Sequence, residues 1–285
     1  MKRTSKILEL REIIALEKKR GRNIALVPTM GYLHRGHLSL IEQAKQTGAV
    51  VVVSIFVNPL QFGPKEDLSR YPRDLERDAS LVKDAGVDIL FHPTVEEMYP
   101  RSVITYVEVG KLDTVLCGAT RPGHFRGVAT VVSKLFHIVQ PDLAFFGQKD
   151  YQQYLVIQRM VSDLNLPIEV CPVSIVREED GLALSSRNVF LTSEQRQEAR
   201  VLSQSLNEAE RSLGAGERSA REIEKQLRDR ISSQCHGVID YVEVRDAGDL
   251  SEVTTIERPV LIALAVKFGS TRLIDNKVVE VENYV

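Results

Sequence analysis

The sequence predicts an α/β fold, a parallel sheet with helices on both faces, followed by a smaller C-terminal α+β domain. Three observations lead there. In the first half, short apolar runs alternate with segments whose apolar residues recur at helical spacing. The run Val50 to Val57 is apolar apart from Ser54, as a strand covered on both faces would be. After about residue 175 the order changes to helices and then strands.

In chain order, Ile24-Ala25-Leu26-Val27 reads as a strand and His37 to Lys45 as a helix. Val50 to Val57 is the next strand. Leu75, Ala79 and Val82 predict a helix within Leu68 to Lys83. Val87 to Phe91 reads as a strand, and Ile104 to Val109 alternates like another. Val128 to Val139 reads as a helix, Asp142 to Phe146 as a strand and Gln152 to Asp163 as a helix. In such sheets ligands sit beyond the C-terminal strand ends, near a change of strand order. Thr192-Ser193-Glu194-Gln195 has the form of a capping box. Leu202, Leu206, Ala209 and Leu213 follow on one helical face, which Gly214-Ala215-Gly216 stops. Ile223, Leu227 and Ile231 mark a second helix. Val238 to Val244, Val260 to Lys267 and Thr271 to Asp275 read as strands. The domain boundary is placed near Val176, dividing the chain into residues 1–175 and 176–285.

Composition excludes several classes. The 285 residues carry 37 Lys+Arg against 39 Asp+Glu, a formal charge of −2, which offers no footprint for a nucleic-acid coat. The longest apolar stretch, Ala49 to Val57, is too short to span a bilayer. Glu9, Arg11 and Glu12 interrupt the region where a signal peptide would be apolar. Cys117, Cys171 and Cys235 are far apart and outside any CxxC pair, so they read as buried apolar residues. A cytoplasmic protein with neither nucleic acid nor membrane as partner is expected.

Neither GxxxxGK[ST] nor GxGxxG follows a strand. After the first strand stands Pro28-Thr29-Met30-Gly31-Tyr32-Leu33-His34-Arg35-Gly36-His37. Its HxGH core places two imidazoles three residues apart at the opening of a helix, so both face one ligand. Gly36 lets a nucleotide approach the backbone. The helix N-terminus adds free N–H groups suited to phosphate. Phe146-Gly147-Gln148-Lys149-Asp150-Tyr151-Gln152-Gln153 follows another strand: Lys149 suits phosphate and Asp150 suits ribose hydroxyls. Asp180-Gly181-Leu182-Ala183-Leu184-Ser185-Ser186-Arg187-Asn188 sets two hydroxyls beside an arginine, a polyphosphate clamp. Each of the last two segments, taken alone, reads equally as a solvated turn. The amides of Asn58-Pro59-Leu60-Gln61-Phe62-Gly63 suit a polar substrate, and Arg121 to Gly127 packs two arginines and a histidine around glycines. Asp74 and Asp78 are candidate Mg²⁺ carboxylates, although acid groups at a helix start explain them too. His92, His137 and His236 read as structural.

The HxGH element resembles the nucleotide-binding signature of the nucleotidyltransferase superfamily, and Leu-Ser-Ser-Arg its second phosphate-binding motif. PTMGYLHRGH, VNPLQFG, RYPRD, RPGHFRGVATVV, FGQKDYQQ, REEDGLALSSRN and the late RLIDN together resemble the pantothenate synthetase family, through essentially the whole chain. Gln148, where an acidic residue is expected, and Leu184, where methionine is common, depart from the pattern. The resemblance implies a Rossmann-like ATP- and pantoate-binding domain over 1–175 and a smaller domain over 176–285 closing over the site. It implies a ligase that joins (R)-pantoate to β-alanine through pantoyl adenylate, releasing pyrophosphate and AMP, with ATP as co-substrate, Mg²⁺, and a homodimer. Met30, Gly31, Tyr32, Leu33, His34, Arg35, Gly36 and His37 would line the ATP site, with His34 and His37 on the phosphates. Gly147 and Asp150 would meet the ribose beside Gln148, Lys149 the phosphate and the pantoate carboxylate, and Val176 the adenine. Leu184, Ser185, Ser186 and Arg187 would close over the β- and γ-phosphates. Gln61 and Gln153 would hold pantoate, with Gln61 also near β-alanine. Catalysis would rest on His34, His37, Lys149 and Arg187, and Asp78 is the metal ligand expected. An adenylyltransferase that stops at a nucleotide product shares HxGH but not the Gln61 and Gln153 pair. A nucleotide sensor without turnover would not need intact His34, His37, Lys149 and Arg187.

Overall fold

The apolar run at Ile24 lies at the centre of a six-stranded sheet in a computed structural model of the chain, which describes residues 1–64 and 66–280. The strands are β1 (Lys2–Thr4), β2 (Ile24–Thr29), β3 (Val50–Ile55), β4 (Ile89–Phe91), β5 (Leu143–Gly147) and β6 (Glu169–Val173). They lie in the order β1-β4-β3-β2-β5-β6, and every neighbouring pair is parallel. From β2 the chain winds outward through β3 and β4, then returns to add β5 and β6 on the other side. The strand order therefore reverses between β2 and β5, and ligands of open α/β sheets bind beyond the strand ends at such a reversal.

The helices of this part are α1 (Ile7–Lys19), α2 (Arg35–Gln46), α3 (Leu75–Asp84), the short α4 (Val95–Met98) and α5 (Cys117–Thr120), α6 (His124–Val139) and α7 (Tyr151–Asp163). Side chains alternate across β2, so its two faces bury different sets. Ala25 and Val27 join a core with Leu40, Ile41 and Ala44 of α2 and with Ala79 and Val82 of α3. Ile24 and Leu26 point the other way and are also fully buried, and α6 packs against β2. A strand covered on both faces has no reason to alternate, which is why Ile24 to Val27 and Val50 to Val53 are continuous apolar runs.

The chain divides into two compact units. The first comprises residues 1–148 and 156–174, the second residues 149–155 and 175–285. The division at Ile175 lies beside the position read from sequence, but Lys149–Leu155 groups with the second unit. The second unit holds α8 (Ser193–Glu198), α9 (Val201–Gly214), α10 (Ala220–Gln234) and an antiparallel sheet of β7 (Val238–Asp246), β8 (Val260–Phe268) and β9 (Thr271–Val279), in that order. Thr192 and Gln195 form the expected capping box at α8. Leu202, Leu206, Ala209 and Leu213 of α9 and Ile223, Leu227 and Ile231 of α10 pack with Ile262, Leu264 and Val266 of β8 into one core.

Some expectations shift. The helix expected from Leu68 starts only at Leu75, because Pro72 disfavours helix before it and Asp74 caps the start by accepting from Arg77 N–H. Ile104 to Val109 alternates like a strand but forms none: no strand pairs with it among the described residues, and Ile104 is 90 % exposed. Cys117 is buried as expected, whereas Cys171 and Cys235 are only half-buried. All three are free thiols, and burial pushes the Cys171 thiol up to about 11, so it stays protonated and unreactive. His236, read as structural, is exposed and pairs with Glu198.

Leu264 is fully buried at the centre of the second core. Leu264→Ala removes methyl groups from a packed site and is expected to destabilise the protein by about 2–5 kcal/mol. Urea denaturation followed by circular dichroism measures the change.

Candidate active site

Thr29 ends β2, and its hydroxyl accepts from Gly31 N–H at 3.2 Å while donating to Ser54 O at 2.8 Å. The chain then passes through two successive left-handed residues, Gly31 at φ +85° and Tyr32 at φ +50°. Such a conformation is unfavourable for tyrosine and needs support from its surroundings. Asp78 of α3 supplies it. Its carboxylate is 1 % exposed and accepts from Tyr32 N–H at 2.6 Å and from Leu33 N–H at 2.8 Å. Burial pushes the Asp78 carboxyl up, and the two N–H groups and the Arg77 charge pull against it. Arg77 completes the clamp. It donates to Leu33 O at 3.0 Å and lies over the Tyr32 ring, 5.1 Å from its centroid.

Two of the expected residues have structural partners in this arrangement. Asp78, expected as a Mg²⁺ ligand, is buried and accepts from two backbone donors, so it holds the turn. No group of three or more His, Cys, Asp or Glu able to hold a metal exists among the described residues. Leu33, expected against ATP, has its side chain in the core and both backbone groups taken by Asp78 and Arg77. It is an anchor.

Held in this way, the turn delivers both histidines to the start of α2. His34 is the N-cap residue, and its Nδ1 accepts from Gly36 N–H at 3.1 Å. His37 Nδ1 accepts from His34 N–H at 3.3 Å. A backbone N–H only donates, so each Nδ1 must be the unprotonated nitrogen and each neutral ring carries its proton on Nε2. The rings lie 4.1 Å apart between centroids and are half-buried. The motif therefore presents two Nε2–H donors beside a helix N-terminus. Arg35 between them is exposed. Gly147 ends the neighbouring strand β5, with open space where a Cβ would stand, and Gln148 follows it.

Gln61 belongs to the same unit and is buried in a 3₁₀ turn, Pro59–Gln61. Its orientation is set by Asn58, which the sequence groups with the substrate amides. Asn58 Oδ1 accepts from Leu60 N–H at 3.3 Å, and Asn58 Nδ2 donates to Gly127 O at 3.1 Å. Backbone groups thus fix which end of Asn58 is which. Nδ2 also donates to Gln61 Oε1 at 3.1 Å, so the Gln61 Nε2 end faces Met30 Sδ at 3.2 Å, toward the turn. An amide nitrogen carries two N–H donors, which suit a carboxylate. Tyr99 OH bonds to Asn58 Oδ1 at 2.8 Å, an interaction no sequence signal announces. The Arg121–Gly127 segment holds the turn from behind. His124 Nδ1 contacts Gln61 O at 2.8 Å, and Arg121 pairs with Glu66 at 2.6 Å. Burial alone would raise the Glu66 carboxyl, but the hydrogen bonds and charge of Arg121, with the Gly63 backbone and His124, together outweigh it and hold Glu66 below the usual range. Gly127 lies so close that a Cβ would sit 2.3 Å from Leu60 O.

The remaining expected residues lie in the second unit. Lys149 and Gln153 are half-buried and Asp150 is exposed. Val176 O accepts from Leu184 N–H at 3.0 Å, closing a hairpin whose turn passes through Gly181 at φ +92°. Ser185 caps a 3₁₀ helix, Ser186–Phe190, by accepting from Arg187 N–H at 3.2 Å. The acidic residues of this motif are structural: Arg196 pairs with Glu178 at 2.6 Å and with Asp180 at 2.7 Å. Arg177 and Asp275, neither singled out from sequence, form a two-pronged pair at 2.7 and 2.9 Å.

The clamp is testable by an isosteric change. Asp78→Asn keeps the shape but turns one acceptor into a donor facing a backbone N–H. A loss of about 1–3 kcal/mol in stability is expected. Urea denaturation measures the loss. Gly127→Ala is expected to displace the Gln61 turn and to destabilise the protein by about 1–3 kcal/mol, read in the same way.

The family model described as pantoate-beta-alanine ligase matches residues 2–278. A pantothenate synthetase of Desulfitobacterium hafniense is 65 % identical over 275 residues, covering 96 % of this chain and 98 % of that one. The pantothenate synthetase of Acetivibrio thermocellus is 58 % identical over the same shares. Among solved structures, pantothenate synthetase from Thermus thermophilus superposes with a TM-score of 0.92 at 48 % identity, covering 97 % of this chain and 99 % of that one. The pantoate-beta-alanine ligase of Francisella tularensis, complexed with beta-gamma ATP and beta-alanine, gives a TM-score of 0.81 at 33 % identity, covering 98 % of this chain and 97 % of that one. The parallel sheet with its reversal at β2 and β5, the paired imidazoles and the matches along nearly the whole chain place this chain in the pantoate–β-alanine ligase family.

Proposed function

We propose that the chain condenses (R)-pantoate with β-alanine at the expense of ATP, by way of pantoyl adenylate. The observation that carries this reading is the pair of imidazoles whose Nδ1 atoms are taken by backbone N–H groups. In the first step a pantoate carboxylate oxygen attacks the α-phosphorus, the bond to the β-phosphate breaks, and pyrophosphate leaves. An anion approaches an anion, so the protein's contribution is alignment and charge neutralisation. His34 and His37 donate from Nε2–H to phosphate oxygens, and the N-terminus of α2 adds its partial positive charge. Lys149 neutralises the reacting carboxylate and phosphate, and Arg187 with Ser185 and Ser186 holds the β- and γ-phosphates beside Leu184. Gly147 and Asp150 serve the ribose, and the Val176 backbone the adenine.

Gln61 and Gln153 hold pantoate. In the second step the neutral amine of β-alanine attacks the acyl carbon, the carbon–oxygen bond to phosphate breaks, AMP leaves and the amine loses a proton. Gln61, with its Nε2 end turned away from Asn58, suits the β-alanine carboxylate as well. No covalent intermediate on the protein is needed.

Magnesium is best read as part of the substrate. The side chains offer it no cluster among the described residues, and Asp78 is engaged, so the phosphates of MgATP and water would be its ligands. Closure of the second unit over ATP and a cytoplasmic location belong to the same reading. No helix among the described residues is long and apolar enough to cross a membrane. A homodimer is proposed on the exposed Ile104 and Tyr106, in an extended segment that forms no strand.

Incubation with MgATP and pantoate should release pyrophosphate without β-alanine, and AMP should follow when β-alanine is added. Pyrophosphate release that ignores pantoate would contradict the reading. Lys149→Ala should lower the first step by about 10²-fold or more while the melting temperature holds. Gel filtration should give twice the chain mass, and Ile104→Asp should return it to one.

A further inference from the structure

The resemblance to known relatives leaves the late Leu273-Ile274-Asp275-Asn276 run without a role. It lies on β9, at the far end of the sequence from the nucleotide motifs, yet within the second unit it touches two of them. Asn276 is buried, and its Nδ2 donates to Lys149 O at 2.8 Å across 127 residues of sequence. A carbonyl only accepts, so this contact fixes the orientation of the amide. Asn276 N–H donates to Asp275 Oδ1 at 2.8 Å. Asp275 is 1 % exposed and grips Arg177, which also donates to Gly181 O at 3.1 Å.

We infer that Asn276 is a positioning residue for the reaction: it fixes the backbone of Lys149, and through Asp275 ties it to the hairpin leading to Leu184–Arg187. Lys149 carries its ammonium on a four-carbon stem with several rotatable bonds. The placement of that charge is only as good as that of its α-carbon. Lys149 leaves β5 in a single 3₁₀ turn, Gln148–Asp150, which offers its carbonyl little regular hydrogen bonding of its own. Asn276 supplies a donor to it from a distant strand. Asp275, buried and holding Arg177 with both oxygens, makes the β9 end of the contact rigid. One strand thereby sets the spacing between the lysine and the serine–arginine segment.

The inference rests on the role proposed for Lys149, so the test is a double-mutant cycle on pantoate-dependent pyrophosphate release under single-turnover conditions. Asn276→Ala is expected to slow the first step by about ten- to a hundredfold. In a Lys149→Ala background the same change should cost less than about twofold, because the group it positions is gone. Melting temperatures of the four proteins check the fold, and Asn276→Ser replaces Asn276→Ala should the latter melt early. Equal losses in both backgrounds would overturn the inference, since Asn276 would then act on the fold in general. Wild-type rates for Asn276→Ala would overturn it too. A Lys149→Ala protein as active as wild type would sink the role of Lys149 and this inference with it, a pattern distinct from the other two.

Discussion

The candidate site depends on one buried carboxylate. Between β2 and α2 the chain has to reverse into a helix within a few residues and pass Tyr32 through the left-handed region. Asp78 meets that requirement by accepting from the N–H groups of Tyr32 and Leu33. Everything downstream follows from where the turn is held. His34 then caps α2, and its own N–H meets His37. A sheet whose strand order reverses between β2 and β5 brings this turn beside the end of β5. The clamp carries a cost, since a buried carboxylate is raised by desolvation, and two N–H groups with Arg77 offset it.

The same device recurs at the other candidate positions: a backbone group of known polarity fixes a side chain that the proposed reaction uses. Leu60 N–H and Gly127 O orient Asn58, which orients Gln61. Gly36 N–H orients His34. Asn276 holds the carbonyl of Lys149. Amides and imidazoles are ambiguous in their donor ends, and backbone groups are not. Anchoring one to the other gives each functional group a single orientation before any ligand arrives, which is what electrostatic preorganisation requires.

Much of this was legible in the sequence. The continuous apolar runs at Ile24 and Val50 announced strands buried on both faces, and Thr192 with Gln195 announced a helix start. HxGH announced the paired imidazoles, because its spacing is itself a local geometry. Long-range pairings were not legible. Asp78 looked like a metal ligand because an acidic residue in a first helical turn carries no mark of being buried. Its partners lie 45 and 46 positions away, in a turn that the pattern of residues does not predict. Asn276 and Asp275 stood in the RLIDN motif without a role for the same reason. Ile104 to Val109 misled in the opposite sense. Alternation reports a residue pattern that suits a strand, and a strand needs a neighbour to pair with.

The central claim is that backbone donors fix both histidines as Nε2–H tautomers, two donors side by side. Nitrogen-15 NMR of the imidazole rings reports the tautomer directly. For His34 and His37 in the uncharged state, the account predicts an unprotonated Nδ1 and a protonated Nε2 in both rings. A protonated Nδ1 in either neutral ring would contradict it, because that ring would then present an acceptor where the proposed reaction needs a donor.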